Sequence, residues 1–255
     1  MTPYFTAPGI VLYLGKAEDV LPTLQAQSFD GVLCDPSYGL NSVNADRVIA
    51  CLTRWLAGEP YKPTGGGFMG KSWDAWVPGP EVWGEVARVI KPGAHCLAFG
   101  GTRTSDFLSI ALRLGGLEIR DTVMWVYGSG FPKSHDISKA IDKAAGAERE
   151  VVGKVRAGFG KRNGVKDADG GIFSNSLPED LKRVPITAPA TPTARQWDGY
   201  GTALKPAYEP VIVAMKPVEG TYAENALAWG VAGVNVDGTR VPLENEPTEW
   251  CECDD

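Results

Sequence analysis

The sequence has few cysteines, and none of them stands in a metal-binding or paired pattern. The five cysteines lie at positions 34, 51, 96, 251 and 253, an odd number with no CxxC pair and no histidine close enough to complete a zinc site. We therefore predict no metal site. Cys34 and Cys96 fall in apolar runs, which predicts buried thiols in a reducing cytoplasm.

Long apolar runs and a leader are also missing. The first ten residues lack the charged start and apolar core of a signal peptide, and no apolar run reaches the length that spans a bilayer. These absences predict a cytoplasmic protein with no membrane partner. We find no internal repeat, no heptads and no G-x-G-x-x-G after an early strand, which argues against a nucleotide-dependent oxidoreductase.

Positive charge is not in excess. Lysine and arginine number 25 against 31 acidic residues, which gives a net charge of −6. This balance does not by itself indicate a nucleic-acid-binding protein, but phosphate contacts depend on a local basic patch rather than on total charge.

Strand and helix patterns alternate along the 255 residues, which predicts an α/β fold. The predicted strands are 11–15, 29–34, 91–101, 119–127 and 210–215, with a strand or turn at 234–240. The predicted helices are 17–25, 81–90, 105–114, 136–145 and 222–229. Composition divides the chain into a core over 1–145, an irregular Gly- and Pro-rich insertion over 146–203, a return to the core over 204–242 and an acidic tail over 243–255.

The segment Asp35-Pro36-Ser37-Tyr38-Gly39 follows the apolar strand 29–34 and is the strongest functional signal. Ligands of open α/β sheets bind outside the carboxyl ends of the strands, where Asp35 would lie. Asp35 and the Pro36 carbonyl can accept hydrogen bonds from an exocyclic amine, and Tyr38 can stack on an extruded base. Taken alone, the same residues also fit a strand that ends in a turn with a packed tyrosine.

This segment resembles the Asp-Pro-Pro-Tyr motif of the amino-group DNA methyltransferases, which modify adenine N6 or cytosine N4. Residues 10–242 are similar to the phage and prophage members of this family. The similarity rests on the order in which three further segments follow the motif: Phe68 to Asp74, Lys91 to Gly101 and Leu204 to Pro217. The resemblance implies a Rossmann-like methyltransferase sheet, S-adenosylmethionine as cofactor and double-stranded DNA as partner. It implies Asp35, Pro36 and Tyr38 as catalytic residues, Ser37 and Gly39 as pocket support, and adenine N6 as the favoured target, in restriction-modification or in regulation.

The sequence departs from that family in three places, two that concern the cofactor and one in the turn. The Asp-Pro-Phe-x-Gly-Ser-Gly type loop and the His-Pro-Thr-x-Lys-Pro type segment are not found in this chain. Lys16 stands where an acid usually contacts the cofactor, so Asp35, Lys16 and Glu18, or Asp19, are the cofactor-binding candidates. The acids are equally explained by the dipole of the helix they begin. Ser37 replaces the second proline.

The insertion carries the DNA-contact candidates. Lys154, Arg156, Lys161, Arg162 and Lys166 lie in a span without an acid, and Arg195 follows near Trp197 and Tyr200. A solvated surface loop is the other explanation, but the resemblance favours recognition of DNA.

Two hypotheses remain from the sequence. The first is a complete DNA methyltransferase domain. The second is a non-catalytic DNA-binding fragment, or half of a split enzyme whose partner chain supplies the cofactor-binding segments. Without those segments, the strand at 11–14 would lack its neighbours, so either the sheet rearranges or another chain completes it.

Overall fold

The computed structural model describes residues 1–40, 43–63, 65, 67, 70, 72–127, 134–156, 183–204 and 207–241. The strands are β1 (Phe5–Ala7), β2 (Ile10–Leu12), β3 (Phe29–Cys34), β4 (Ile90–Phe99), β5 (Glu118–Val126), β6 (Val151–Arg156), β7 (Arg183–Thr187) and β8 (Tyr208–Met215). The helices are α1 (Ala17–Val20), α2 (Ala45–Leu56), α3 (Pro80–Val89), α4 (Ser105–Leu114), α5 (Ile137–Ala144), α6 (Pro192–Gln196), α7 (Tyr222–Trp229) and α8 (Val236–Thr239).

A mixed sheet with the order β3-β4-β8-β5 organises the fold. Strands β3 and β4 are parallel, with Val32 opposite Cys96 and Cys34 opposite Ala98. Strand β8 runs against β4, because residue 100 bonds to residue 210 at one end and residue 94 bonds to residue 216 at the other. The predicted α/β class is therefore confirmed.

Helices α3 and α4 cover one face of this sheet with apolar residues at helical spacing. The largest fully buried side chains of this core include Trp83 of α3, Ile90 of β4, Leu108 and Leu112 of α4, and Ile212 of β8. Arg88 at the end of α3 donates to the carbonyls of Leu21 and Leu24, which ties the chain segment before β3 to this layer. The core therefore lies directly beneath β3 and β4.

Local sequence patterns predicted most of these elements well. Strand β3 and helices α4 and α7 have the predicted bounds, while α3, α5, β4, β5 and β8 differ from prediction by one or two residues at their ends. Helix 17–25 is shorter than predicted, because Pro22 lies in a 3₁₀ turn that follows α1. Residues 236–239 form the short helix α8 instead of the predicted strand or turn.

Three features of the fold were not predicted: the pairing of the first strand, helix α2 and the order within the insertion. The strand expected at 11–15 is β2 of a hairpin with β1, and in the described part of the chain this hairpin is a sheet of its own. Helix α2 was missed, although Asn44 caps it by accepting from the Arg47 N–H. Within the insertion expected to be irregular, β6 and β7 form an antiparallel pair and α6 follows.

The chain divides into two compact units. The first contains residues 1–99, 104–122 and 212–255, and the second contains 100–103 and 123–211. The insertion and tail boundaries at 146, 203 and 243 stay predictions of composition, and the tail lies outside the described residues. None of the described helices is both long enough and apolar enough to cross a membrane.

The edge of the sheet at β3 exposes apolar side chains. Leu33 is 72 % exposed and Phe29 is 41 % exposed, and both belong to the strand that ends the sheet order. On β2, Ile10, Val11 and Leu12 are each about half exposed. Apolar side chains on an open strand edge are typical of a surface that pairs with further polypeptide.

Candidate functional site

The turn at residues 35–39 leaves the carboxyl end of β3, beside its parallel neighbour β4. Asp35 is exposed, Pro36, Ser37 and Tyr38 are half-buried, and Gly39 is buried. The exposed carboxylate therefore lies where α/β sheets bind ligands, and the residues after it turn back into the protein.

Four hydrogen bonds hold this turn, three to its backbone and one to the Ser37 side chain. The N–H groups of Tyr38 and Gly39 both donate to Oδ1 of Asp74, at 3.0 and 3.2 Å. The Tyr38 carbonyl accepts a hydrogen bond from the hydroxyl of Thr104, and the Ser37 hydroxyl donates to the Trp76 carbonyl at 2.8 Å. The turn is thus fixed on both sides of Tyr38, while Asp35 remains open to solvent.

Gly39 is required by two features of the turn. Its φ is +64°, in the left-handed region that favours glycine. A Cβ at this position would lie 3.0 Å from both the Trp76 Cα and the Val77 nitrogen, which are backbone atoms that cannot rotate away. Gly39 thus lets the backbone of the turn lie close to the backbone of the segment after Asp74, which is consistent with its predicted supporting role.

We expect Gly39→Ala to lower the free energy of unfolding by about 2–4 kcal/mol, from backbone strain together with the close contact. The matched control is Gly58→Ala, because Gly58 has a φ of +75° but nothing within 4 Å of its added Cβ. The control should cost about 1 kcal/mol, from the backbone alone. Urea unfolding of both variants measures the difference, and equal losses would contradict the close contact at Gly39.

The thiols of Cys34 and Cys96 lie together directly behind Asp35. Cys96 is buried, as predicted, whereas Cys34 is only half-buried. A hydrogen bond from the Cys96 thiol lowers the pKa of Cys34, although burial and the Asp35 carboxylate oppose this, and the same bond and burial raise the pKa of Cys96. The pair packs within the sheet, which agrees with a structural role.

Aromatic rings support the segment against which the turn packs. The Trp76 ring lies 5.1 Å from that of Phe107 and 5.2 Å from that of Tyr61, both in edge arrangements. Cys51 is buried beside them, and burial raises its pKa to about 11. This cluster gives the Trp76 carbonyl, and with it Ser37, a rigid support.

Within the described part of the chain, no hydrogen bond or ion pair joins the cofactor-binding candidates Lys16 and Glu18 to Asp35. Lys16 is exposed at the start of α1 and makes no side-chain cap there. Glu18 lines a small cavity of about 170 Å³ together with Leu21, Glu81, Val82 and Glu85. Glu18 therefore lies against helix α3, among other carboxylates.

The DNA-contact candidates belong to the second unit where the structure describes them. Lys154 is exposed on β6, and Arg195 is exposed on α6, close to an edge-on ring pair of Trp197 and Tyr200 at 5.2 Å. Arg156 ends β6, and its side chain is not described. Lys161, Arg162 and Lys166 lie outside the described residues.

Sequence reasoning missed Asp74 and Thr104. Both are buried, at 3 % exposure each, and both act on the backbone of the turn over distances of 36 and 66 residues along the chain. The segment Phe68 to Asp74 stood out in the sequence, but nothing local assigns its aspartate to Tyr38. The available signal in the sequence was the charged residue Asp74 directly before the apolar residues 75–77.

No protein-family model matches this chain, and no curated protein matches it. Among the described residues, no group of three or more His, Cys, Asp or Glu side chains is arranged to hold a metal ion.

Proposed function

We propose that this chain is a DNA amino-methyltransferase domain that accepts a flipped base at the turn 35–39 and modifies its exocyclic amine, with adenine N6 favoured over cytosine N4. The observation that carries the proposal is the turn itself. An exposed aspartate follows a strand at the carboxyl edge of a parallel pair, and the backbone after it is held from Asp74, Trp76 and Thr104.

The residues of the turn have separate tasks in this proposal. The Asp35 carboxylate and the Pro36 carbonyl accept the two N–H bonds of the amine, which draws the nitrogen lone pair out of conjugation and turns it towards the methyl donor. Tyr38 stacks on the base and limits its rotation. After transfer, the amine loses its extra proton to solvent, so no histidine and no cysteine nucleophile is needed.

S-adenosylmethionine, when bound, supplies the electrophilic methyl group. The fit of the described residues to this cofactor is incomplete, because Glu18 lines a cavity of about 170 Å³, whereas ligand pockets typically measure about 300–1,000 Å³. We therefore assign the base side of the reaction to this chain's turn and derive no cofactor contacts from Lys16 or Glu18.

Double-stranded DNA is the proposed substrate, and the second unit is the proposed recognition part. Lys154 and Arg195 are exposed cations in that unit, and the exposed Trp197 and Tyr200 rings offer stacking surfaces. These features support binding of the phosphate backbone and give no recognition sequence.

The direct test is methyl transfer from S-adenosylmethionine to unmethylated genomic DNA of mixed sequence. After digestion to nucleosides, mass spectrometry should find N6-methyladenine. N4-methylcytosine would correct the target base but keep the reaction class. A chain that binds the cofactor yet modifies neither base would contradict the proposed activity.

The second candidate is half of a split methyltransferase, or a non-catalytic DNA-binding fragment. The edge of β3, which ends the sheet in the described part of the chain and exposes Leu33, favours it, because a strand from a partner chain could pair with such an edge. The half-exposed apolar residues of β2 are a second surface for a partner. Titration calorimetry with S-adenosylmethionine separates the candidates. Micromolar binding supports a complete domain, and absence of binding supports dependence on a partner.

A further inference from the structure

Asp74 is a buried carboxylate at the end of the 3₁₀ turn Ser72–Asp74. Only 3 % of its surface is exposed. Burying a carboxylate costs free energy unless hydrogen bonds compensate it, and charge-assisted bonds are about twice as strong as neutral ones. Two of those compensating bonds come from consecutive backbone N–H groups, those of Tyr38 and Gly39, which converge on Oδ1.

The backbone torsions of Tyr38 lie between the two N–H groups and let both reach one oxygen, and the left-handed φ of Gly39 continues the turn beyond the second group. The carboxylate and the glycine therefore act on adjacent parts of the same turn. Asp74 binds the backbone N–H groups that follow Asp35-Pro36-Ser37, so it fixes the path of the backbone immediately after the Asp35 side chain.

The opposite side of the same peptide is held by Thr104. This residue stands at the N-terminus of α4, but its hydroxyl makes no cap for that helix and donates to the Tyr38 carbonyl instead. Threonine at such a position usually caps its own helix. Tyr38 is therefore held through its carbonyl by Thr104 and through its N–H by Asp74, and both of these polar residues are buried.

We propose that Asp74 is the positioning residue of the target-base pocket: by binding the N–H groups of Tyr38 and Gly39, it sets the place of the Tyr38 ring relative to the Asp35 and Pro36 acceptors. The inference rests on the proposed function. Asp74 acts through Tyr38 and does not accept from the amine itself. A displacement of about 1 Å in a reacting site costs on the order of 100-fold in rate, which makes such a support important.

The variant Asp74→Asn keeps the shape and one acceptor oxygen but removes the charge. We expect its kcat for methyl transfer to fall about 10- to 100-fold, with the KM for DNA within about threefold of wild type. Hydrogen exchange of the Tyr38 and Gly39 backbone amides, measured by NMR, should become at least about tenfold faster. The matched control is Asp106→Asn, an exposed aspartate in the first turn of α4, which should change neither quantity.

A second pair of variants keeps the test informative if Asp74→Asn fails to fold. Thr104→Val removes the hydroxyl that binds the Tyr38 carbonyl, and Thr104→Ser restores it. Loss of kcat in the valine variant and recovery in the serine variant would support positioning of Tyr38.

Three results would overturn the inference, and the third would overturn the proposed function with it. The first is an unchanged kcat in Asp74→Asn while Asp35→Ala is inactive. The second is rapid exchange of the Tyr38 and Gly39 amides in the wild-type chain. The third, failure of the proposed function, is a separate result: the amides are protected through Asp74, but the wild-type chain transfers no methyl group although it binds the cofactor. That result would leave Asp74 as a structural support only and would equally overturn its positioning role.

Discussion

Replacing Asp35 by alanine should reduce methyl transfer at least about 10³-fold, because the variant loses the acceptor that orients the amine and increases its nucleophilicity. Binding of DNA should stay within about threefold of wild type, since phosphate contacts supply most of the affinity and Asp35 makes none. Methyl incorporation into DNA and a fluorescence-anisotropy titration of labelled duplex measure the two quantities on the same preparation.

Asp30→Ala is the matched control for this experiment. Asp30 lies on the same strand with its side chain 75 % exposed, and it forms an ion pair with Lys91. Exposed ion pairs contribute about 0–1 kcal/mol, so stability and activity should both remain near those of wild type. Full activity in Asp35→Ala would rule out the assigned role of the turn, and equal inactivity of Asp30→Ala would point to damage of β3 rather than to chemistry.

The second large effect is expected at Asp142, in the second unit. This buried carboxylate accepts from Arg149 at 2.6 Å, from the Ala190 N–H at 2.9 Å, and from the hydroxyl and N–H of Thr191 at 2.8 and 3.0 Å. It therefore ties α5 to the segment before β6, to the segment after β7 and to the start of α6. Asp142→Ala leaves two backbone N–H groups without this acceptor and removes the carboxylate partner of Arg149, which keeps its bonds to Ser138 and Thr187. We expect the melting temperature of this unit to fall on the order of 10 °C.

The control for Asp142 is Asp136→Ala. Asp136 caps the same helix from an exposed position, with its side chain accepting from the Lys139 N–H. Loss of such a cap costs about 1 kcal/mol, or roughly 3 °C here. Thermal melts compare the two variants, and amide exchange at Ala190 and Thr191 reports the tie directly. Similar losses in both variants would contradict the central place of Asp142.

The pH dependence of this tie follows from the pKa of Asp142. Burial alone would raise that pKa, but the hydrogen bonds from Ala190, Thr191 and Arg149 outweigh burial and lower it to about 2. A carboxyl whose pKa is lowered by folding stabilises the folded state above its unfolded pKa and loses that contribution as the pH falls through the folded value. The stability difference between wild type and Asp142→Asn should therefore be largest above about pH 4 and shrink towards pH 2.

These predictions place methyl transfer and the stabilising Asp142 contacts in different units of the chain. The turn after β3 lies in the first unit, and the Asp142 tie lies within the second. Asp35→Ala should leave the melting of both units unchanged, and Asp142→Ala should leave the backbone of the turn unchanged. Amide exchange at Tyr38 checks the second statement.

Much of the architecture follows from the sequence by itself, because it depends on interactions between near neighbours. The apolar run 29–34 is β3, and the spacing of the apolar residues Phe107, Leu108, Ile110, Ala111 and Leu114 predicts α4 with its observed bounds. Pro22, in the middle of the predicted helix 17–25, explains why α1 already ends at Val20. The α/β class and the position of Asp35 at the end of a strand were likewise accessible from local pattern.

Other features depend on which segments meet, and local pattern does not contain that information. The sequence placed a strand at 11–15, but pairing with residues 5–7 made it a hairpin, because a strand takes its partner from the available hydrogen-bonding edge. The insertion was expected to be irregular, yet β6 finds β7 across 26 intervening residues. Neither strand has a strong pattern of its own, and each is stabilised by the other.

The candidate site shows the same division. By themselves, the residues identify a carboxylate, a carbonyl acceptor and an aromatic ring in a row, which is the chemistry of an amine-binding turn. Only the tertiary structure decides that Asp74, Trp76 and Thr104 hold this turn, because buried carboxylates and hydroxyls gain free energy only where folding brings them an unsatisfied backbone group. Composition and spacing thus determined which atoms can act, and long-range packing decided where they are held.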